Sequence, residues 1–76
     1  MHLADWQREF NRQLGQNIVI ARKFAGLSQK VFAARCGVAA STLSRWEHGD
    51  FRITAAQLAI FSTVLEVQPM TLWPRY

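Results

Sequence analysis

Apolar residues at Trp6, Phe10, Leu14 and Ile18, continuing to Ala21 and Ala25, recur every three or four positions. That spacing predicts a long first helix over about residues 4–25, with one apolar face. Gly15 lies inside it, weakens it by about 1 kcal/mol relative to Ala and marks a candidate break. Gly26 ends it. Ser28 is a good N-cap for a second helix over about 29–36, whose inner face is Phe32, Ala33 and Cys36. Gly37 then supplies the positive φ of a tight turn, and Val38 leads into a third helix that runs to about residue 48 and stops at Gly49. Thr54 with Gln57 three residues on is a capping-box pattern. It opens a fourth helix over about 55–66, with Leu58, Phe61 or Ser62, and Leu65 at helical spacing. Pro69 suits the first turn of a short fifth helix over about 70–73, and Pro74 stops it. The pattern predicts an all-α chain of five helices. No repeat, low-complexity tract or linker interrupts it, so residues 1–76 read as one domain, with 1–13 an amino-terminal extension of the first helix.

Size and composition narrow the function. A chain of 76 residues buries only about 60% of the surface exposed on unfolding, which leaves little room for an enclosed active site. Nine Lys and Arg against five Asp and Glu give a formal charge of +4, an excess that favours a polyanionic partner. Arg22, Lys23, Lys30, Arg35, Arg45 and Arg52 fall in the middle of the chain, where Glu47 and Asp50 oppose them. Cys36 is the single cysteine, which excludes an internal disulfide and suggests a reducing cytoplasm. Neither a signal-peptide pattern nor a run approaching the ~20 apolar residues of a membrane span is present. His2, His48 and Cys36 pair with nothing at catalytic or metal-binding spacing, and Cys36 reads as a small buried hydrophobe. The expectation is a non-enzyme without metal or cofactor.

The segment Gly26-Leu27-Ser28-Gln29 through Ser41-Thr42-Leu43-Ser44-Arg45-Trp46-Glu47-His48-Gly49 closely resembles the Cro and lambda-repressor type helix-turn-helix family, also called XRE-like. The resemblance extends over about residues 14–73. Several positions carry it in register: Gln29 opening the second helix, small Ala33, Gly37 at the turn, then apolar Leu43 and Trp46. Each has a physical reason. Ala33 lets the two helices approach, Gly37 takes the turn, and Val38, Leu43 and Trp46 anchor the third helix on the core. The resemblance implies a compact lambda-repressor-like domain with its helix-turn-helix at helices two and three, and a sequence-specific regulator of double-stranded DNA.

At about 100° per residue, Ser41, Ser44, Arg45 and His48 share an arc on the side of helix three away from Leu43 and Trp46. In the family this exposed side enters the major groove, and the matching positions are Ala39, Ala40, Ser41, Ser44 and Arg45. Arg45 leads, because an Arg can donate two hydrogen bonds to guanine O6 and N7; Ser discriminates less, and Ala40 can touch a thymine methyl. A solvated charge or a phosphate contact is the alternative for Arg45, and plain solvation for the serines. Gln29 and Lys30 stand where the family sets helix two against the DNA backbone. Thr42, His48 and Arg52 are further phosphate candidates, with solvated charge the alternative for Lys30 and Arg52. The resemblance pairs Arg22 with Glu47 in a structural salt bridge; the alternative is an Arg22 that reaches phosphate.

Two features depart from the family pattern. Ala39 stands where Ser or Thr commonly caps the recognition helix, a difference of roughly 1 kcal/mol in local stability. The other lies in the first helix, where Val19 and Ile20 replace residues usually polar in the family and the extension through Trp6 and Phe10 precedes its usual start; either extends the core or forms a partner surface. Phe61, Leu65, Met70, Leu72 and Trp73 are candidates for a homodimer interface at the carboxyl-terminal end, and a two-fold dimer implies a palindromic operator. The expected role is a repressor of a phage, plasmid or restriction-modification type operon. The alternative is an antitoxin that neutralises a toxin by protein contact and represses its own operon.

Overall fold

The computed structural model describes residues 3–50 and 53–74, which form α1 (Leu3–Phe24), α2 (Gln29–Cys36), α3 (Ala40–Glu47), α4 (Ala55–Leu65) and α5 (Pro69–Leu72), with no strand among the described residues. α1 has 22 residues, hence a length of roughly 33 Å. The longest dimension of the molecule is 37 Å, so α1 is its spine. It packs on α3, α4 and α5, while α2 packs on α3 and α4. The first turns of α2 and α4 are held by Ser28 accepting from the Val31 N–H and Thr54 accepting from the Gln57 N–H. Gly37 ends α2 at φ 74°, and the Val38 N–H returns to the Ala33 carbonyl to close the turn. α4 ends without a glycine: Glu66 takes the left-handed conformation at φ 56°. No helix among the described residues is long and apolar enough to cross a membrane.

Leu14 and Ile18 of α1, Phe32, Ala33 and Cys36 of α2, Leu43 of α3, Leu58, Phe61 and Leu65 of α4, and Leu72 of α5 form one buried core. Phe61 is its centre, with ring centroids 5.5 Å from both Phe32 and Trp46. Three of the expected dimer contacts are therefore corrected. Phe61, Leu65 and Leu72 are buried within the chain, because α4 lies under α2 and α5 rather than at the surface, and only Met70 and Trp73 of that set remain exposed. Trp73 is itself engaged by Phe10 at 5.0 Å edge-on, and Phe10 stacks on Trp6 at 5.4 Å. This aromatic chain ties the first turns of α1 to the carboxyl-terminal end. Nearby, hydrogen bonds from Arg12 and Gln13 hold the exposed Glu9 carboxyl down to about 2. Burial pushes the Cys36 thiol up, away from the thiolate a nucleophile needs.

Gly15 does not break α1, which runs through it without interruption from Leu3 to Phe24. Its role is steric. A Cβ built on Gly15 would lie 2.5 Å from the Trp46 carbonyl oxygen and 2.6 Å from that of Glu47. Gly49 faces the same helix from the other chain segment, where a Cβ would lie 2.8 Å from the Arg12 Cα. The carboxyl-terminal end of α3 thus rests directly on the α1 backbone at two glycines.

A buried ion pair fixes the same junction. Arg22 Nε donates to Glu47 Oε2 at 2.7 Å and Nη2 donates to Oε1 at 3.3 Å, a two-pronged arrangement that sets both position and orientation. The two side chains retain 9% and 2% of their exposure. Arg22 Nη1 also donates to the Leu27 carbonyl at 2.8 Å, and Gln29 Nε2 donates to Glu47 Oε1 at 2.6 Å. One carboxylate therefore joins the end of α1, the start of α2 and the end of α3.

This junction sets two expectations for stability. Gly15→Ala, which would strengthen an isolated helix by about 1 kcal/mol, is expected to destabilise this chain by about 1–3 kcal/mol, because the methyl group meets backbone rather than a movable side chain. Urea unfolding of both proteins checks the sign. Arg22→Ala and Glu47→Ala are each expected to cost about 3–5 kcal/mol, since each leaves a buried charge unpaired, while the double substitution recovers part of the loss. Thermal melts of the four proteins measure the coupling, and additive losses would rule out a direct pairing energy.

Candidate nucleic-acid interface

The clamp at its carboxyl-terminal end decides which side of α3 faces outward. Leu43 and Glu47 are buried and Trp46 is half-buried against Phe61. Four residues per turn and a little less bring Ser41, Arg45 and His48 to the opposite side, and all three are exposed. Ser44 and Thr42 lie at the two margins, half-buried. Ala39 and Ala40 are exposed at the entrance to the helix. The sequence-derived reading residues therefore share one continuous convex surface.

That surface is built from small groups around one long one. Ala39, Ala40 and Ser41 keep the first turn low, and Arg45 rises one turn later. Ala39 is the N-cap at φ −70° and ψ 147° and provides no side-chain cap, so the amides of the first turn of α3 receive no bond from it. The His48 Nδ1–H donates to the Ser44 carbonyl at 2.7 Å, which fixes the ring over the last turn and leaves Nε2 as its outward atom.

Beside this helix, α2 presents its amino-terminal end. Lys30 is exposed there, and Gln29 is half-buried with its amide turned to Glu47. The sequence assigns Gln29 to phosphate alone; its bond to Glu47 is a role that no sequence pattern indicates. An amide NH2 has two donors, and the Glu47 carboxylate uses one of them. Arg22 is enclosed by Glu47 and the Leu27 carbonyl, and is not part of the exposed surface. Arg52 lies outside the described residues. Lys30, Arg35 and Arg45 are the exposed cations that α2 and α3 contribute, and the acidic Glu47 near them is neutralised by Arg22. α2 and α3 thus present exposed cations and no exposed carboxylate of their own, with Asp50 the nearest exposed acid along the chain, a balance that suits a phosphate backbone. Among the described residues, no group of three His, Cys, Asp or Glu side chains is placed to hold a metal ion.

The helix pair and its turn have parallels in known proteins. The family model described as Helix-turn-helix (HTH_3) matches residues 18–72. The restriction-modification controller protein C.AhdI from Aeromonas hydrophila is similar with a TM-score of 0.78 at 26% identity, over 82% of this chain and 94% of that one. The DNA-binding domain of BldD has a TM-score of 0.79 at 26% identity, over 87% of this chain and 96% of its own length. An HTH_3 family transcriptional regulator from Vibrio cholerae has a TM-score of 0.80 at 27% identity over 87% of this chain, which spans only 37% of that regulator. No curated protein sequence matches the chain. The family match begins at residue 18, so the amino-terminal part of α1, with Trp6, Phe10 and Gly15, precedes it. By its sequence match over most of its length and by its five-helix architecture, the chain belongs to the HTH_3 helix-turn-helix family of DNA-binding transcriptional regulators.

Proposed function

We propose that the chain represses a phage, plasmid or restriction-modification type operon by binding a palindromic operator as a homodimer, one α3 in each major groove. The observation that carries this reading is the separation of roles on α3. Leu43 and Glu47 are buried while Ser41, Arg45 and His48 face solvent. The likeness to C.AhdI, a restriction-modification controller, supports the class of operon.

In this reading Arg45 takes guanine O6 and N7 with its two-pronged guanidinium, Ser41 and Ser44 bond neighbouring base edges, and Ala39 and Ala40 let the helix sit deep, Ala40 against a thymine methyl. Lys30 and the second Gln29 N–H take backbone phosphates beside α2, with Thr42, His48 and Arg52 completing the phosphate set. The Glu47 bond gives Gln29 a fixed direction before DNA arrives, so less side-chain freedom is lost on binding. The two-fold dimer sets its recognition helices about one turn of duplex apart, roughly 34 Å.

Gel shifts over fragments from upstream of the chain's own gene locate the operator, and titrations at two salt concentrations then separate the roles. Arg45→Ala is expected to leave the fold intact, to lose about 1–3 kcal/mol per half-site, and to relax discrimination at a single base pair. Lys30→Ala is expected to weaken all sequences about equally and to reduce the salt slope by about one for each phosphate that is no longer neutralised. If Arg45→Ala weakens every sequence alike, base reading rests on Ala40, Ser41 and Ser44 instead. Salt-insensitive binding, or binding to no fragment, defeats the operator reading and turns attention to a protein partner such as a toxin.

A further inference from the structure

His48 closes α3 as its C-cap, exposed on the same side of the helix as Ser41 and Arg45. Its ring is held by one bond. Nδ1 lies 2.7 Å from the Ser44 carbonyl oxygen, and a carbonyl oxygen only accepts, so the proton of the neutral ring sits on Nδ1. Nε2 of the neutral ring is then a bare lone pair directed outward. A phosphate oxygen also only accepts, so lone pair would face lone pair. Protonation reverses this. It places an N–H and a positive charge at Nε2 and leaves the Nδ1 bond to Ser44 as it was, so the ring turns from acceptor to donor without moving.

We propose that His48 meets the DNA backbone only as the imidazolium, so that each copy of α3 takes up one proton as it enters the groove. His48 thereby keeps its phosphate contact in the proposed function, on which this rests, but the contact becomes conditional on pH. The charged groups around the end of α3 come from three elements and a loop. They are Arg45 on the helix itself, Asp50 in the loop that follows, Lys30 on α2, and on α1 Arg12, whose backbone lies against Gly49. Arg12 is engaged by Glu9, and Glu47 by Arg22. Of the side-chain types gathered there, histidine is the one that ordinarily titrates between about pH 5 and 8.

The sign of the effect follows from the geometry. A phosphate beside Nε2 favours the charged ring, so the complex holds the proton more tightly than the free chain does. Affinity is therefore full where histidine is protonated and is lost as the pH rises through that range. Each imidazolium also neutralises one further phosphate, which steepens the salt dependence by about one per chain at the acidic end. A phosphate contact carries no base information, so the effect extends to DNA of any sequence.

Fluorescence anisotropy of the whole chain with a labelled mixed-sequence duplex, from about pH 5.5 to 8, tests this. Wild-type affinity is expected to fall about fivefold to tenfold across the range, and the salt slope to drop by about one. His2 is the other histidine of the sequence, and His2→Gln is expected to keep the wild-type pH dependence. His48→Gln, which offers a donor at every pH, is expected to flatten it. His48→Lys, a cation throughout, is expected to bind at the alkaline end as tightly as wild type does at the acidic end. Helical circular dichroism is expected to be unchanged in all three. A wild type whose affinity is flat with pH, a dependence that survives His48→Gln, or an affinity that rises with pH, the mark of a neutral Nε2 accepting from a base amino group, would overturn the assignment while DNA binding stands. Absence of binding at any pH defeats the DNA reading and the proton linkage together.

Discussion

Taking a carboxylate and a guanidinium out of water costs several kcal/mol per ion, and their attraction repays it only where the remaining donors and acceptors are also satisfied. At Arg22 and Glu47 they are. The guanidinium uses three nitrogens, two on Glu47 and one on the Leu27 carbonyl, and the carboxylate accepts from Gln29 besides. The arrangement contributes orientation more than net stability. It holds only if α1, the start of α2 and the end of α3 stand in one relation, and that relation aims the exposed side of α3. Gly15 and Gly49 serve the same end by different physics, since they remove the Cβ atoms that would keep α3 off the α1 backbone.

Most of the fold is legible in the sequence because each helix is punctuated by residues with local physical meaning. Ser28 and Thr54 cap α2 and α4 as their side chains allow, and Gly37 takes the positive φ its position demands. The features that are not legible depend on partners far along the chain. Gly15 reads as a weak point when only its own helix is considered, because the Trp46 and Glu47 carbonyls that require it lie some thirty positions later. Phe61, Leu65 and Leu72 read as surplus apolar groups until α4 is placed at the centre, where one ring meets both Phe32 and Trp46. The end of α4 near residue 66 is read from the spacing, but the left-handed conformation of Glu66 there is not, since no glycine marks it.

The sequence leaves Ile20 between core and partner surface, and helical geometry takes it out of the core. Ile20 lies about 200° from Ile18 on a helical wheel, so a core that buries Ile18 leaves Ile20 on another side. Ile20 and Phe24 together form a second apolar stripe on α1, distinct from that of Leu14 and Ile18. A single helix with two apolar sides and a third that carries Gly15 and Arg22 has three sets of neighbours to satisfy. Leu14 and Ile18 meet the core and Gly15 and Arg22 meet α3, which leaves the Ile20 side as the one without a partner inside the chain.

The third helix shows why such a domain can change its outward residues without changing its fold. α3 has eight residues, well short of the ~12–15 an isolated helix needs in water, so it persists only by packing. Its hold on the rest of the domain comes from Leu43, Trp46 and Glu47, and from the carbonyls resting on Gly15. Ala39 contributes no cap, and Ser41, Arg45 and His48 contribute little to burial. The positions that make α3 a helix and those that face outward are therefore different residues. Changes at the outward positions have small energetic consequences for the fold, whereas a change at Glu47 or Gly15 would move every outward side chain together.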